Sequence, residues 1–435
     1  SGLETAPGDA AIGAESPARR TRWSPKALHG PLEDRKRPRM AWWTPAWLSL
    51  AAAILLSILG ILAIGTTRPD HAARQLIFLL IGIAAGAAVA LPHYRIYRKA
   101  IVGLALLSLG LLAFVLVPFV PESIVRPRNG ARAWIALGPV DFQPSELAKT
   151  AYILALAAWL SSTRSHRTWK GFCAILLATC VPAGLIILEP DLGSAILFAP
   201  TMLAMLMAAG ARKRHLLATV LLAAAMVPIA YAFLLKPYQR ARIDSIIAQI
   251  AGDTRFERRE GFQGWRAMRL VGSGGLTGVG ESHARALVRF NGLPEEHNDM
   301  IFAVVCVRWG ILGGALVWAA FLLFALGGLL VAAIHRDPFA RLVSVGLVAV
   351  AFTQMTINTG MTIGLLPITG ITLPFVSYGG SSLVASWIGV GLLVGIGLRP
   401  ARLGERSYLD EEDADAPSGD RSLPLEPPRL AKGSA

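Results

Sequence analysis

The chain carries ten long apolar runs, at about 41–65, 74–91, 100–120, 145–161, 171–188, 192–210, 215–235, 300–334, 341–364 and 375–398. Several hold the ~20 residues that a hydrocarbon core of roughly 30 Å requires. Inside a bilayer every backbone polar group must be satisfied within the chain, which favours helices for runs of this kind. The fold class that follows is an all-α polytopic membrane protein of about ten transmembrane helices, with a large extracytoplasmic loop before helix 8. The run from Ile301 to Ile334 is too long for one ordinary crossing. Arg308 and Gly310 mark a break, which predicts a short segment near 300–308 and a true span from about Ile311.

Composition agrees, because 54% hydrophobic residues leave too little polar surface to wrap a soluble globule of 435 residues. Charges fall in short clusters between the apolar runs and mark the connectors. Arg35 to Arg39, Arg95 to Lys99, Arg164 to Lys170, Arg212 to His215, Arg336 to Arg341 and Arg399 to Arg406 are basic and alternate with the other loops. The positive-inside rule then places both termini in the cytoplasm and 66–73, 121–144, 189–191, 236–299 and 365–374 on the opposite face. The +14 net charge is accounted for by that bias and by attraction to anionic membrane lipid. No basic stripe with interleaved aromatics points to nucleic acid.

Three regions follow: a disordered basic cytoplasmic tail over 1–40, a transmembrane domain over 41–400 that includes the 236–299 loop, and a disordered cytoplasmic tail over 401–435. The first span lacks a small-residue cleavage site and reads as an anchor. Cys173, Cys180 and Cys306 lie in or beside apolar runs without metal or disulfide spacing, and read as packing residues.

Polar residues crowd against membrane segments in three places, where ionisable groups are costly and mark a site. The first is Asn129 to Gly138 leading into Phe142 to Lys149, with Pro144 opening a helix. Glu146 and Lys149, at i,i+3, form either a structural ion pair or part of a site. Trp134 fits the interfacial belt or a sugar-stacking surface. The second is Leu293 to Val304, where Glu295, Glu296, His297 and Asp299 end the large loop as apolar sequence resumes. Asp299 is either a desolvated general base or the N-cap of the next helix. His297 lacks zinc-site spacing and reads as a hydrogen-bonding residue. The third is Gly370 to Ser382, whose backbone N–H groups and Ser377, Ser381 and Ser382 hydroxyls either hold an anionic headgroup or cap the last helix. Gly272 to Gly280 is also glycine-rich, but lacks the strand and the Lys-Ser/Thr ending of a P-loop, so no nucleotide is expected.

These stretches, in this order, resemble the SEDS family of cell-wall proteins, which includes RodA, FtsW and SpoVE, over roughly residues 45–400. The matching segments are Gly-x-x-x-Trp-Ile with Gln143-Pro-Ser-Glu-x-x-Lys149, Pro190-Asp191-Leu-Gly193, Gly272-Ser-Gly-Gly275, Pro294-Glu295-x-His297-x-Asp299 and Leu373-Pro-Phe-Val-Ser377-Tyr-Gly-Gly-Ser381-Ser382. The resemblance implies a ten-helix enzyme that polymerises lipid II onto a growing glycan strand at the outer face of the bacterial cytoplasmic membrane, beside a class B penicillin-binding protein. It implies that Asp299 is the residue essential for transfer. Making a β-1,4 bond from an α-linked diphosphate sugar inverts the anomeric centre, and one base suffices to take the acceptor's proton. The diphosphate leaving group calls for positive charge from Lys149, Arg132, Arg242 or a divalent cation, Mg or Mn.

The chain departs from the family pattern at Asn298, where threonine is usual, at Glu189, where glutamine is usual, and at Cys306-Val-Arg308-Trp-Gly310, where relatives carry acidic residues. Arg308 in place of a carboxylate predicts a lowered Asp299 pKa or a reorganised cation site. Gly360 to Gly364 looks RodA-like, and Gly370 to Pro374 closer to FtsW and SpoVE. Two other readings suit the same span count: a flippase for lipid-linked precursors, with polar groups reachable from both faces, and a noncatalytic membrane scaffold.

Overall fold

A computed structural model describes residues 42–399 apart from 129, 130, 139, 164, 236, 252 and 254–260; the tails expected over 1–40 and 401–435 lie outside the described residues. The helices are α1 (Ala46–Thr67), α2 (Pro69–Ala90), α3 (Arg95–Val115), α4 (Pro144–Ser162), α5 (Trp169–Leu188), α6 (Leu192–Ile196), α7 (Phe198–Ala208), α8 (Lys213–Ile229), α9 (Pro237–Ile250), α10 (Phe262–Ser273), α11 (Gly280–Asn291), α12 (Ile301–Ile334), α13 (Pro338–Thr362) and α14 (Gly380–Gly397). Among the described residues, eight helices are long and apolar enough to cross a bilayer: α1, α2, α3, α5, α8 with its extension to Phe233, α12, α13 and α14. The sequence predicts about ten. The other two apolar runs form α4, which carries Glu146 and Lys149, and the shorter Leu192–Ala208, divided at Leu197.

Burial sorts the spans into centre and perimeter. In the most apolar stretch of α14, 61% of residues are buried, against 6% in α8. Leu217 and Leu221 on α8, Leu76 and Leu80 on α2 and Leu106 on α3 are exposed, as lipid-facing side chains are. Small residues bring the central helices together. A Cβ at Gly86 would run into the Trp387 carbonyl, and one at Gly391 into that of Gly86, so α2 and α14 touch backbone to backbone. Ser49 Oγ donates to the Phe324 carbonyl at 2.8 Å and ties α1 to α12.

The break expected near Arg308 and Gly310 is present. Gly310 has φ 70° and ψ −163° inside α12, a left-handed φ that favours glycine. The interrupted ladder leaves amides without an intrahelical acceptor, and the glycine-rich loop between α10 and α11 supplies one for each. Ile311 N–H donates to the Gly275 carbonyl at 2.9 Å and Leu312 N–H to Leu276 at 3.2 Å, while Val279 N–H donates back to Val307 at 3.0 Å. The Gly272 to Gly280 stretch is thus a backbone plug for a broken helix.

One element lies outside the helical reading. Strands β1 (Val125–Arg128), β2 (Ala131–Leu137) and β3 (Val140–Phe142) form an antiparallel sheet in the order β1-β2-β3, between α3 and α4. Its buried residues alternate, Ala133 and Ile135 pointing inward from β2.

Candidate active site

Asp299 ends the 294–300 turn that leads into α12. Glu295 holds φ 53° in that turn and Phe375 φ 66° in the facing segment, both left-handed without being glycine, the kind of strain that collects at functional sites. The carbonyl of Asp299 accepts a 2.7 Å hydrogen bond from Nδ2 of Asn358, a wholly buried residue of α13 that donates equally to Ile371. The Asp299 side chain is 8% exposed, and its Oδ1 has no hydrogen-bond partner among the described residues. It does not cap α12, whose N-cap is Met300 and has no side-chain cap. Burial, with the charge of Glu295 adding to it, pushes the Asp299 carboxyl up to about 7; its own backbone N–H, Arg242 and His297 pull the other way.

Around it the 294–300 turn is fixed from several sides. Asn298 Nδ2 donates to the Glu295 carboxylate. Ser377 Oγ donates to the Asn298 carbonyl at 2.6 Å, and Tyr378 N–H donates to that of His297 at 2.9 Å. The His297 ring stacks on His71 with centroids 4.7 Å apart, and His71 lies 4.6 Å from the Tyr378 ring. Glu296 pairs with Arg68 at 2.9 Å; burial alone would raise its pKa, but contacts from His297 and Arg68 outweigh it and hold the carboxyl down at about 2. Arg242 on α9 donates to the Ile368 carbonyl at 2.9 Å while its charge reaches Asp299.

A second polar cluster stands at the start of α4. Lys149 and Glu146 pair at 2.9 Å with both side chains buried. Gln143 Nε2 donates to Asp191 Oδ2 at 3.2 Å, and Asp191 Oδ1 caps α6 by accepting from Ser194 N–H at 3.0 Å. Burial raises the Asp191 pKa, Ser194 and Lys149 oppose it, and Glu146 adds to it. Burial with the nearby Asp191 charge pushes Glu189 up to about 8. A carboxyl that keeps its proton to that pH presents an uncharged polar head, as glutamine does, and the departure at this position is chemically small.

The segment from Ile368 to Ser382 joins the two clusters. It accepts from Arg242 at Ile368, holds the 294–300 turn through Ser377 and Tyr378, and receives Gln143 N–H on Ser381 Oγ at 3.1 Å. Gln75 of α2 steadies it by donating to the Ser377 carbonyl at 2.9 Å. The structure therefore brings Asp299, Glu295, His297, Arg242 and Ser377 together, and Glu146, Lys149, Asp191 and Ser381 beside one another. It leaves Arg132 and Trp134 on the sheet. Arg132 donates to the carbonyls of Pro118 and Val120, and Trp134 stands opposite Arg126 on β2.

Arg308 does not act as its replacement of a carboxylate predicts. Its guanidinium donates to the Leu62 carbonyl at 2.6 Å, to Thr66 Oγ1 at 2.7 Å and to Glu281 at 2.8 Å, so its charge is spent clamping α11 and the end of α1 to the break in α12. Sequence reasoning missed Arg68, His71, Gln75 and Asn358. The signal available for Asn358 and Gln75 was a lone amide in an apolar helix, costly unless partnered. Among the described residues no three His, Cys, Asp or Glu side chains are grouped as a metal set.

A helix bundle with a break at a glycine and a buried carboxyl at the end of one strained turn defines a class: polytopic membrane proteins whose chemistry sits where a loop meets the bundle. The family model FTSW_RODA_SPOVE, described as cell cycle protein, matches residues 40–399, and the chain belongs to this family as a multi-pass membrane protein. It is 33% identical over 329 residues to the probable peptidoglycan glycosyltransferase FtsW of Geobacter metallireducens, covering 75% of this chain and 84% of that protein. With the peptidoglycan glycosyltransferase MrdB of Escherichia coli K12 it shares 35% over 269 residues, 62% of this chain and 71% of the other. A solved structure described as "Structural coordination of polymerization and crosslinking by a peptidoglycan synthase complex" matches with a TM-score of 0.69 at 31% identity, covering 81% of this chain and 97% of that one.

Proposed function

We propose that the chain is a peptidoglycan glycosyltransferase that polymerises lipid II into β-1,4 glycan strands during cell elongation or division. It works at the outer face of the bacterial cytoplasmic membrane with both termini in the cytoplasm. The observation that carries this reading is the buried Asp299 carboxyl, unpartnered at Oδ1 and pushed up to about 7, where a general base works best near neutral pH. As the acceptor's O4 attacks the anomeric carbon of the donor, Asp299 takes the hydroxyl proton. The C1–O bond to the diphosphate breaks with inversion, and the polyprenyl diphosphate departs with the electron pair.

Positive charge for that leaving group comes from Arg242. Of the three expected side chains, it is the one whose charge acts on Asp299, whereas Lys149 answers Glu146 and Arg132 holds the 118–120 carbonyls. Glu295 and His297 adjust the base, and the segment carrying Ser377 and Ser381 shapes the lipid cleft. Trp134, on the neighbouring sheet, offers a face for sugar or lipid. A class B penicillin-binding protein is the partner, a reading supported by the likeness to the synthase complex.

The test is to purify the protein with and without such a partner, add lipid II and look for glycan strands. Strands from the wild type and none from Asp299→Asn are expected. No strands under either condition would overturn the assignment and leave the flippase and scaffold readings.

A further inference from the structure

The chemistry around Asp299 leaves the other end of the bundle unused. α4 begins beside Ser381 and ends at Ser162; α13 begins at Pro338 and carries Asn358, which holds Asp299, near its end. At 1.5 Å per residue their far ends lie roughly 28 and 37 Å from the ends that face the site. Between those far ends is a cavity of about 300 Å3, walled by Leu160, Ala209 and Leu342 on its apolar side and by His166, Arg167 and Arg341 on its polar side.

Three observations make this more than a gap between helices. His166 is 4% exposed and neither of its ring nitrogens completes a hydrogen bond among the described residues; burial lowers its pKa and the charges of Arg167 and His215 add to that, against the pull of the Ala209 and Thr163 carbonyls. Arg167 and Arg341 form no ion pair among the described residues. The nearby carboxylate, Asp337, is already taken by Tyr94, by Arg95 and by the α13 amide of Phe339. Finally, parts of three basic connectors meet here, with His215 Nδ1 3.1 Å from the His166 carbonyl and Trp169, half exposed at the start of α5, packed 4.4 Å from the His215 ring. Basic side chains with an interfacial tryptophan at the ends of membrane helices match the headgroup layer.

We propose that this cavity binds a phosphate-bearing anion, with Arg167 and Arg341 on the phosphate oxygens and a His166 ring N–H donating from within. The same chemistry is offered by the headgroup of an anionic phospholipid and by free phosphate. The apolar wall and the position at the helix ends suit the lipid, since basic pockets between membrane helices take anionic headgroups.

The full-length protein is placed in nanodiscs of mixed phosphatidylglycerol and phosphatidylcholine, and retained lipid is read by native mass spectrometry. Phosphatidylglycerol retained in preference is expected, and Arg167→Gln with Arg341→Gln should weaken it about 30-fold. Ala209→Phe, which fills the cavity without removing charge, should do the same, while Arg98→Gln with Lys99→Gln on another basic connector should not. In a second arm, inorganic phosphate is titrated calorimetrically into protein in pure phosphatidylcholine. Binding there that is lost in the same variants would identify the free anion as ligand and uphold the site. Equal retention by wild type and the double arginine variant, or no binding in either arm, would overturn it.

Discussion

Across the two polar clusters joined by residues 368–382, Asp299 stands against the partnered Glu146 and Asp191, while Glu189, buried beside Asp191, has no partner on either carboxylate oxygen among the described residues and shares the raised pKa of Asp299. At the start of α4, Glu146 faces Lys149 at 2.9 Å, and Asp191 bonds Gln143 and caps α6. At the end of the large loop Asp299 keeps an unpartnered Oδ1 and a proton affinity near neutrality. A buried charge that is answered holds structure, whereas one left unanswered is available to a substrate.

The contrast is broken or sharpened by five substitutions. Asp299→Asn should lower polymerisation by about 10²–10⁴-fold with unchanged thermal unfolding, measured on lipid II with the purified protein. Polymerisation at wild-type rate would remove the distinction between the clusters. Lys149→Met should instead act on the fold, costing about 3–5 kcal/mol by stranding Glu146, with much of that recovered by adding Glu146→Gln; chemical denaturation in detergent reads both. The pH profile sets the clusters apart more finely. Activity requires ionised Asp299, so kcat/KM should rise with pH through about 7. Glu295→Gln removes a negative charge that raises this pKa and should move the acid limb to lower pH, whereas Glu146→Gln should leave it in place. The smallest effect should come from outside both clusters. Trp134→Ala, on the sheet, is expected to lower activity only a few-fold, since it removes contact and no proton transfer.

Much of this was legible before any coordinates. The break in α12 could be read because a charge and a glycine interrupt an apolar run too long for one crossing, and the site because Glu295, His297 and Asp299 crowd where a loop becomes apolar. The residues alone leave Asp299 open between base and cap, since both place an aspartate before a helix, and the family resemblance points to the base; the structure removes the cap, because Met300 occupies that position. Asn358 and His71 were hidden because their partners, Asp299 and His297, are brought to them by the fold across long stretches of chain. The small sheet was hidden by its short strands. Arg308 misled because its charge was counted without its neighbours: Thr66 and Glu281 engage it away from Asp299.

The plug in α12 also bears on biogenesis. A helix that breaks at Gly310 exposes amides that lipid cannot satisfy, at a cost of several kcal/mol for each one left bare. Their acceptors, Gly275 and Leu276, are each synthesised 36 residues earlier than the amides they serve, Ile311 and Leu312. The ribosome therefore delivers the remedy before the defect, and α12 can settle in its bent form only after the glycine loop has reached the face where that helix begins. Displacing the loop, by an insertion between Gly272 and Gly280, would leave α12 to enter the membrane as a straight rod and carry the approach to Asp299 out of place.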